Sequence, residues 1–140
     1  MKERFLDYTV VARIFILSIF LIIPSAYASE DTLEITYVET NTDINDLIWE
    51  KRPVLVFSNS HLDPNLKQQI KMFASDPDAL SSRDVKVFVD DKAEPNSNLR
   101  KRFRPKGFLI ILIGKDGQIK LRKNSPWSAR ELTRIIDKGS

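Results

Sequence analysis

The sequence contains no cysteine. Thiol nucleophiles, Cys-x-x-Cys redox pairs and thiolate metal sites are therefore excluded, because each depends on a sulfhydryl that this chain cannot supply. Histidine is nearly as scarce: His61 stands alone, so no metal centre built on several imidazoles can form. No internal repeat, low-complexity tract or long linker interrupts the 140 residues, a length suited to one domain with one core. The apolar-dominated run from Ile14 to Ile23 has ten residues, well short of the ~20 that a membrane-spanning helix needs.

That run sits in a secretory pattern. Lys2, Arg4 and Arg13 charge the start, Pro24 follows the apolar stretch, and Ala26-Tyr27-Ala28 places small residues two apart ahead of Ser29. This is the A-x-A arrangement of a signal-peptidase site. The expectation is a signal peptide over residues 1–28, cut between Ala28 and Ser29, no membrane span after its removal, and a periplasmic or secreted location. An uncleaved anchor is the alternative. The net charge of +3 hides a polarity along the chain: residues 29–95 carry 7 Lys/Arg against 14 Asp/Glu, and residues 96–140 carry 12 against 3. Either the second half favours anionic partners, or the two halves attract each other across the fold.

Residues 29–46 read as an acidic, threonine-rich N-terminal extension in which Leu33 to Val38 alternate as an edge strand would. Asp43 to Glu50 suits a short helical turn carrying Ile44, Leu47, Ile48 and Trp49 onto the domain, which is assigned to residues 47–140. Strands are expected near 54–58, 85–90, 108–113 and 118–122. The first and third are continuous apolar runs of a sheet covered on both faces. In the last, Ile119 and Leu121 are expected inward, with Lys120 and Arg122 outward, across a Lys115-Asp116-Gly117 turn. Asp63-Pro64 and Asp76-Pro77 each offer an N-cap followed by proline in the first helical position. Ser128 and Glu131 have capping-box spacing, with Trp127 placed to staple against Leu132. A crossover joins the first two strands, a second carries the chain to 108, and a hairpin and a helix follow. The order is that of an α/β, thioredoxin-like fold: a central mixed sheet flanked by helices.

Several pieces, in order, carry a family resemblance: Trp49 with Lys51-Arg52-Pro53-Val54-Leu55-Val56-Phe57, Arg83-Asp84-Val85, Leu99 with Arg102-Phe103, Gly107-Phe108, Gly114-Lys115-Asp116-Gly117 and Lys120-Leu121-Arg122. Together they resemble the bacterial exported members of a peroxiredoxin-like, thioredoxin-fold domain of unknown function. That domain also occurs in secreted vertebrate sushi-repeat and coiled-coil matrix proteins. The resemblance implies the fold and an exported location, and no established activity. Laid over this chain, the thioredoxin pattern puts the first redox cysteine near Leu62 or Asp63. Its cis-proline falls near Phe108 or Leu109, and Pro105 lies too early to take that role.

Among the remaining polar residues, Ser60, His61 and Asp63, with Ser58 nearby, hold the parts of a nucleophilic triad at a helix entrance. Asp63 already has work as an N-cap, and consecutive loop residues seldom converge on one another, so catalysis is the lesser reading. Arg100, Lys101, Arg102, Arg104 and Lys106 form the densest charge run, a candidate anion-binding face that Lys120, Arg122 and Lys123 would extend. Phe103 and Phe108 are assigned to the core, which leaves no stacking surface for nucleic acid. Trp49 and Trp127 are assigned to packing, and Asp90, Asp91 and Glu94 lack a spacing that fixes a cation. No cofactor and no metal are expected. The reading is an exported, non-redox binding or interaction module for an unknown protein or anionic ligand. Its alternatives are a hydrolase-like enzyme at the Ser60/His61/Asp63 loop and an envelope-associated structural protein.

Overall fold

Three apolar strands build the centre of a mixed sheet: β2 (Arg52–Phe57), β3 (Val85–Asp90) and β4 (Leu109–Ile113). Successive side chains of a strand point to opposite faces, and here both faces are buried. Val54, Val56, Val87, Val89, Ile110 and Leu112 lie in one core layer. Leu55, Phe57, Phe88, Leu109, Ile111 and Ile113 lie in the other. The computed structural model describes residues 32–139, so the signal-like segment and its Ala28/Ser29 junction lie outside the described residues.

The sheet is completed by β1 (Glu34–Tyr37) and β5 (Ile119–Lys123), in the order β1-β3-β2-β4-β5. β1 and β2 run parallel to β3, β4 is antiparallel to β2, and β5 is antiparallel to β4. The first layer is covered by α1 (Pro64–Ser75), α2 (Pro77–Ser81) and α4 (Ala129–Lys138), through Leu66, Phe73, Leu80, Leu132 and Ile136. The second is covered by α3 (Asn98–Phe103), through Leu99 and Phe103, and by Ile44 beside a 3-10 turn at Asn45–Leu47.

Helix starts follow local chemistry. The Asp63 carboxylate accepts from the Asn65 N–H at 2.8 Å with Pro64 in the first position, and Asp76 caps α2 from the same Asp-Pro pattern. Ser128 and Glu131 form both halves of a capping box. Trp127 packs against the first core layer. It is also held by Gln69 of α1: the amide Nε2 donates to the Trp127 carbonyl at 2.7 Å, and Oε1 accepts from the Trp127 N–H at 2.8 Å. Gln69 is fully buried, so its amide ties α1 to the entrance of α4 from inside the core.

Some expectations are corrected. The second crossover does not return the chain to a parallel strand. Residues 91–108 contain only the six-residue α3, about 9 Å long, and stay at the strand ends, so β4 starts beside the end of β2 and runs back antiparallel, with Leu109 opposite Phe57. The edge strand expected over Leu33 to Val38 does form: it is β1, paired with β3 from Glu34 opposite Lys86 to Tyr37 opposite Val89. The helical turn expected over Asp43 to Glu50 shrinks to Asn45–Leu47. Ile44 is buried, but Ile48 and Trp49 are exposed, so the packing role assigned to Trp49 is wrong. Finally, Ile119 is exposed although Leu121 is buried. The β4–β5 register shifts between Leu112 and Ile113, so that Leu112 faces Leu121 and Ile113 faces Ile119. An extra residue in one strand breaks the alternation that the inward assignment relied on.

A candidate site at the carboxyl ends of the strands

β2 and β3 end side by side, where the Ser58 N–H donates to the Asp90 carbonyl at 2.8 Å. The chain leaves β2 through Ser58-Asn59-Ser60-His61-Leu62 and enters α1 at Pro64. Ser58 is buried and its hydroxyl donates to the Ser60 carbonyl at 2.7 Å, while the Ser60 hydroxyl accepts from the Leu62 N–H at 3.1 Å. These bonds close the loop into a fixed turn. They also decide the fate of the candidate triad. Among the described residues no hydrogen bond joins His61 to Ser60 or Asp63, and Asp63 is committed to the Asn65 N–H. Leu62, where the redox cysteine is expected, points into solvent at 62% exposure.

Behind the loop lies a buried ion pair. Arg100 Nη2 stands 2.9 Å from Asp90 Oδ1, with side-chain exposures of 8% and 5%. The same nitrogen donates to the Ser58 carbonyl at 2.7 Å and the Asp90 carbonyl at 3.1 Å, and Nη1 donates to Asn59 Oδ1 at 3.2 Å. Asp90 Oδ2 accepts from the Ser97 hydroxyl at 2.6 Å, and that hydroxyl caps α3 by accepting from the Arg100 N–H at 3.0 Å. The guanidinium also lies 5.7 Å from the Phe57 ring centroid, within cation–π range. Only Nε lacks a partner. One arginine thus binds the ends of β2 and β3, the loop after β2 and the first turn of α3 into a single polar network.

The basic run therefore splits. Arg100, expected on an exposed face, is buried and neutralised by Asp90. The backbone rotates ~100° per helical residue, so its neighbours diverge. Lys101 and Arg104 lie three apart and line an open cavity of about 480 Å³ beside Arg100, together with Asn59, Glu94 and Asn96. Arg102 turns the other way, over the Phe103 ring at 4.9 Å and within 3.5 Å of Asn45 Oδ1. Lys106 is exposed. Of the residues expected to extend the run, Arg122 reaches α3, donating to the Phe103 carbonyl at 2.8 Å, and Lys123 lies over Trp127 at 5.8 Å. Lys120 pairs with Asp116 at 2.9 Å instead. The acidic and basic halves do meet across the fold, through Asp90–Arg100 and through Asp84–Lys115 at 2.6 Å. Asp90, once weighed as a cation ligand with Asp91 and Glu94, has its carboxylate turned to Arg100 and Ser97. The position before β4 holds Gly107-Phe108, and the cis peptide bond among the described residues is Glu94–Pro95.

A family model described as a domain of unknown function, DUF4174, matches residues 43–140, and the chain belongs to that family. Solved structures share the fold. Reduced 2-Cys peroxiredoxin of Plasmodium vivax is 14% identical, with 69% of this chain and 82% of that one covered at a TM-score of 0.57. Chloroplastic thioredoxin z is 16% identical, with 76% and 94% covered at 0.56. A thioredoxin-family thiol:disulfide interchange protein of Chlorobium tepidum TLS is 15% identical, with 66% and 81% covered at 0.52. At these identities the likeness is one of fold. No curated protein matches the chain. The protein is thus a thioredoxin-fold domain without cysteine.

Proposed function

We propose that this protein is an exported, non-redox recognition module whose strand-end surface takes an anionic group of a partner. The observation that carries the reading is the Arg100–Asp90–Ser97–Ser58 network. It occupies the strand ends, fixes the loop that follows β2, and leaves Lys101 and Arg104 as exposed cations on the cavity beside it. The hydroxyls of Ser58, Ser60 and Ser97 serve the backbone or Asp90. Among the described residues none is joined to a histidine, and the one carboxylate that accepts from them, Asp90 at Ser97, is already neutralised by Arg100. Rigid scaffold, committed hydroxyls and free cations favour binding over turnover. Export rests on the Ala26-Tyr27-Ala28/Ser29 pattern.

The test pairs two measurements on purified protein. Screening against p-nitrophenyl esters and phosphoesters beside His61→Ala should give no turnover that depends on His61. Retention on heparin should weaken, with a shallower salt dependence, in Lys101→Glu/Arg104→Glu, because phosphate- or sulfate-rich polymers are held mainly by release of counterions. His61-dependent hydrolysis would replace this reading with the enzyme one. Unchanged heparin retention would remove the anionic partner.

A further inference from the structure

The opposite end of the sheet carries a second, differently built site. There the start of β2, the end of β4, the turn after it and the last turn of α4 enclose a cavity of about 410 Å³, within the size range of small-molecule sites. Its floor is apolar, made by Leu112 of β4 and by Ile135 and Ile136 of α4. Its rim is cationic: Arg52, Lys115, Lys120 and Lys138 stand against one lining carboxylate, Asp116. Lys115 and Lys120 are paired with Asp84 and Asp116. Arg52 Nη1 donates to the Arg83 carbonyl at 2.8 Å. Among the described residues, neither Arg52 nor Lys138 has a carboxylate within ion-pair distance. The rim therefore keeps an excess of positive charge.

Trp49 stands at the edge of this cavity, 72% exposed, with a φ of 70°. A bulky L-residue adopts that left-handed region only when its surroundings impose it. Here the constraint is visible: the Trp49 N–H donates to the Lys115 carbonyl at 2.7 Å. The Lys115 side chain in turn holds Asp84, which also has a left-handed backbone, with a φ of 57°. Lys115 thus holds Trp49 at the cavity's edge, where it presents to solvent an indole that ordinary packing would bury. Backbone strain of this kind concentrates at sites of recognition.

We propose that this cavity binds a small amphipathic organic anion, a carboxylate or sulfonate on an aromatic or alkyl body. The body lies on the Leu112/Ile135/Ile136 floor against Trp49, and the acid group sits against Lys138 and Lys120, the latter exchanging its half-exposed Asp116 partner for the ligand. Neither simpler ligand fits the lining. A neutral apolar molecule leaves the rim charge unmatched, and inorganic phosphate leaves the floor wet.

The probe is 1-anilinonaphthalene-8-sulfonate, titrated by fluorescence into the purified protein. The expected result is one dye per chain, displaced by octanoate but not by octanol or inorganic phosphate. Affinity should be about tenfold weaker in Trp49→Ala and in Lys120→Gln/Lys138→Gln. These positions are exposed, so the variants should keep the parent's unfolding midpoint, measured alongside. Lys101→Gln/Arg104→Gln, at the other end of the sheet, should leave dye affinity unchanged, which separates this site from the strand-end surface. Absence of saturable binding, displacement by octanol, undiminished affinity in the Trp49 and lysine variants, or loss of affinity in the Lys101/Arg104 variant would each overturn the proposal.

Discussion

Replacing Arg100 by methionine tests the network most directly. Methionine keeps most of the apolar stem that lies against Phe57, so the change removes charge and hydrogen bonds rather than bulk. What it leaves behind is costly. Asp90, whose side chain is 5% exposed, loses its counter-ion, and the Ser58 and Asp90 carbonyls lose the donor shared through Nη2. Breaking one side of a buried pair costs about 3–5 kcal/mol, because the remaining charge stays desolvated. The Ser97 hydroxyl and the Lys92 N–H still serve Asp90, which argues for the lower part of that range. Asp90→Asn strands the guanidinium in the same way. Once Arg100 is methionine, however, Asp90→Asn relieves a buried charge instead of creating one. The double variant should therefore be more stable than the sum of the single losses allows, by about 2 kcal/mol. Urea unfolding of the four proteins, followed by far-UV circular dichroism, supplies the cycle. Single losses below about 1 kcal/mol, or strict additivity, would mean that the pair is solvated in solution and does not anchor α3.

Further outcomes follow from other contacts. Gln69→Leu should destabilise the fold by about 1–3 kcal/mol, because it removes both partners of the Trp127 backbone while keeping side-chain volume, and urea midpoints measure this. Acid should weaken the protein through groups held below their ordinary values: Asp84 by the Lys115 ammonium, Asp137 by the Arg83 guanidinium, Asp116 by Lys120, and Glu131 by the Ser128 backbone. A depressed folded-state pKa gives stability that is present above the unfolded value and lost as pH falls through the folded one. The loss should thus begin below the ordinary values of 3.8 for Asp and 4.5 for Glu, and a plateau in stability from pH 7 down to pH 2 would contradict it. Intact mass of the protein recovered from its native cells should correspond to a chain beginning at Ser29. A detergent-extracted species retaining residues 1–28 would establish an anchor instead.

What could be read from the sequence was what neighbours in sequence determine. Asp63-Pro64, Asp76-Pro77 and the Ser128/Glu131 box each fix a helix start within four residues, and each forms as expected. The apolar runs of β2 and β4 and the alternation in β3 likewise carry their own burial. Arg100 was not legible in this way, because nothing in Arg100-Lys101-Arg102 distinguishes the residue that turns inward. Its partners lie 10 residues away at Asp90 and 42 away at Ser58, and only the sheet brings them together. A trace was present: Arg100 borders the Leu99/Phe103 stripe, as Gln69 sits within the Leu66/Phe73 stripe. A polar residue on an apolar edge either reaches solvent or must find a buried partner. The exposed Trp49 and Ile119 were missed for the opposite reason. A left-handed backbone at Trp49 and a register shift after Leu112 are set by tertiary pairing, which periodicity cannot register.

The two ends of the sheet spend their charge differently, and this bears on what the fold can do without thiols. At the carboxyl ends of β2 and β3 the acid and base nearest the backbone cancel inside the protein, leaving recognition to exposed residues around a rigid base. At the opposite end the ion pairs are half-exposed, and apolar floor rather than buried charge lies between them. A pair in solvent contributes little to folding, about 0–1 kcal/mol, and so can be rearranged by a ligand at little cost. A pair as desolvated as Asp90–Arg100 cannot. The cavity floored by Leu112, Ile135 and Ile136 is therefore the end at which a bound molecule can reorganise its surroundings, while the thioredoxin-like end is held in one arrangement.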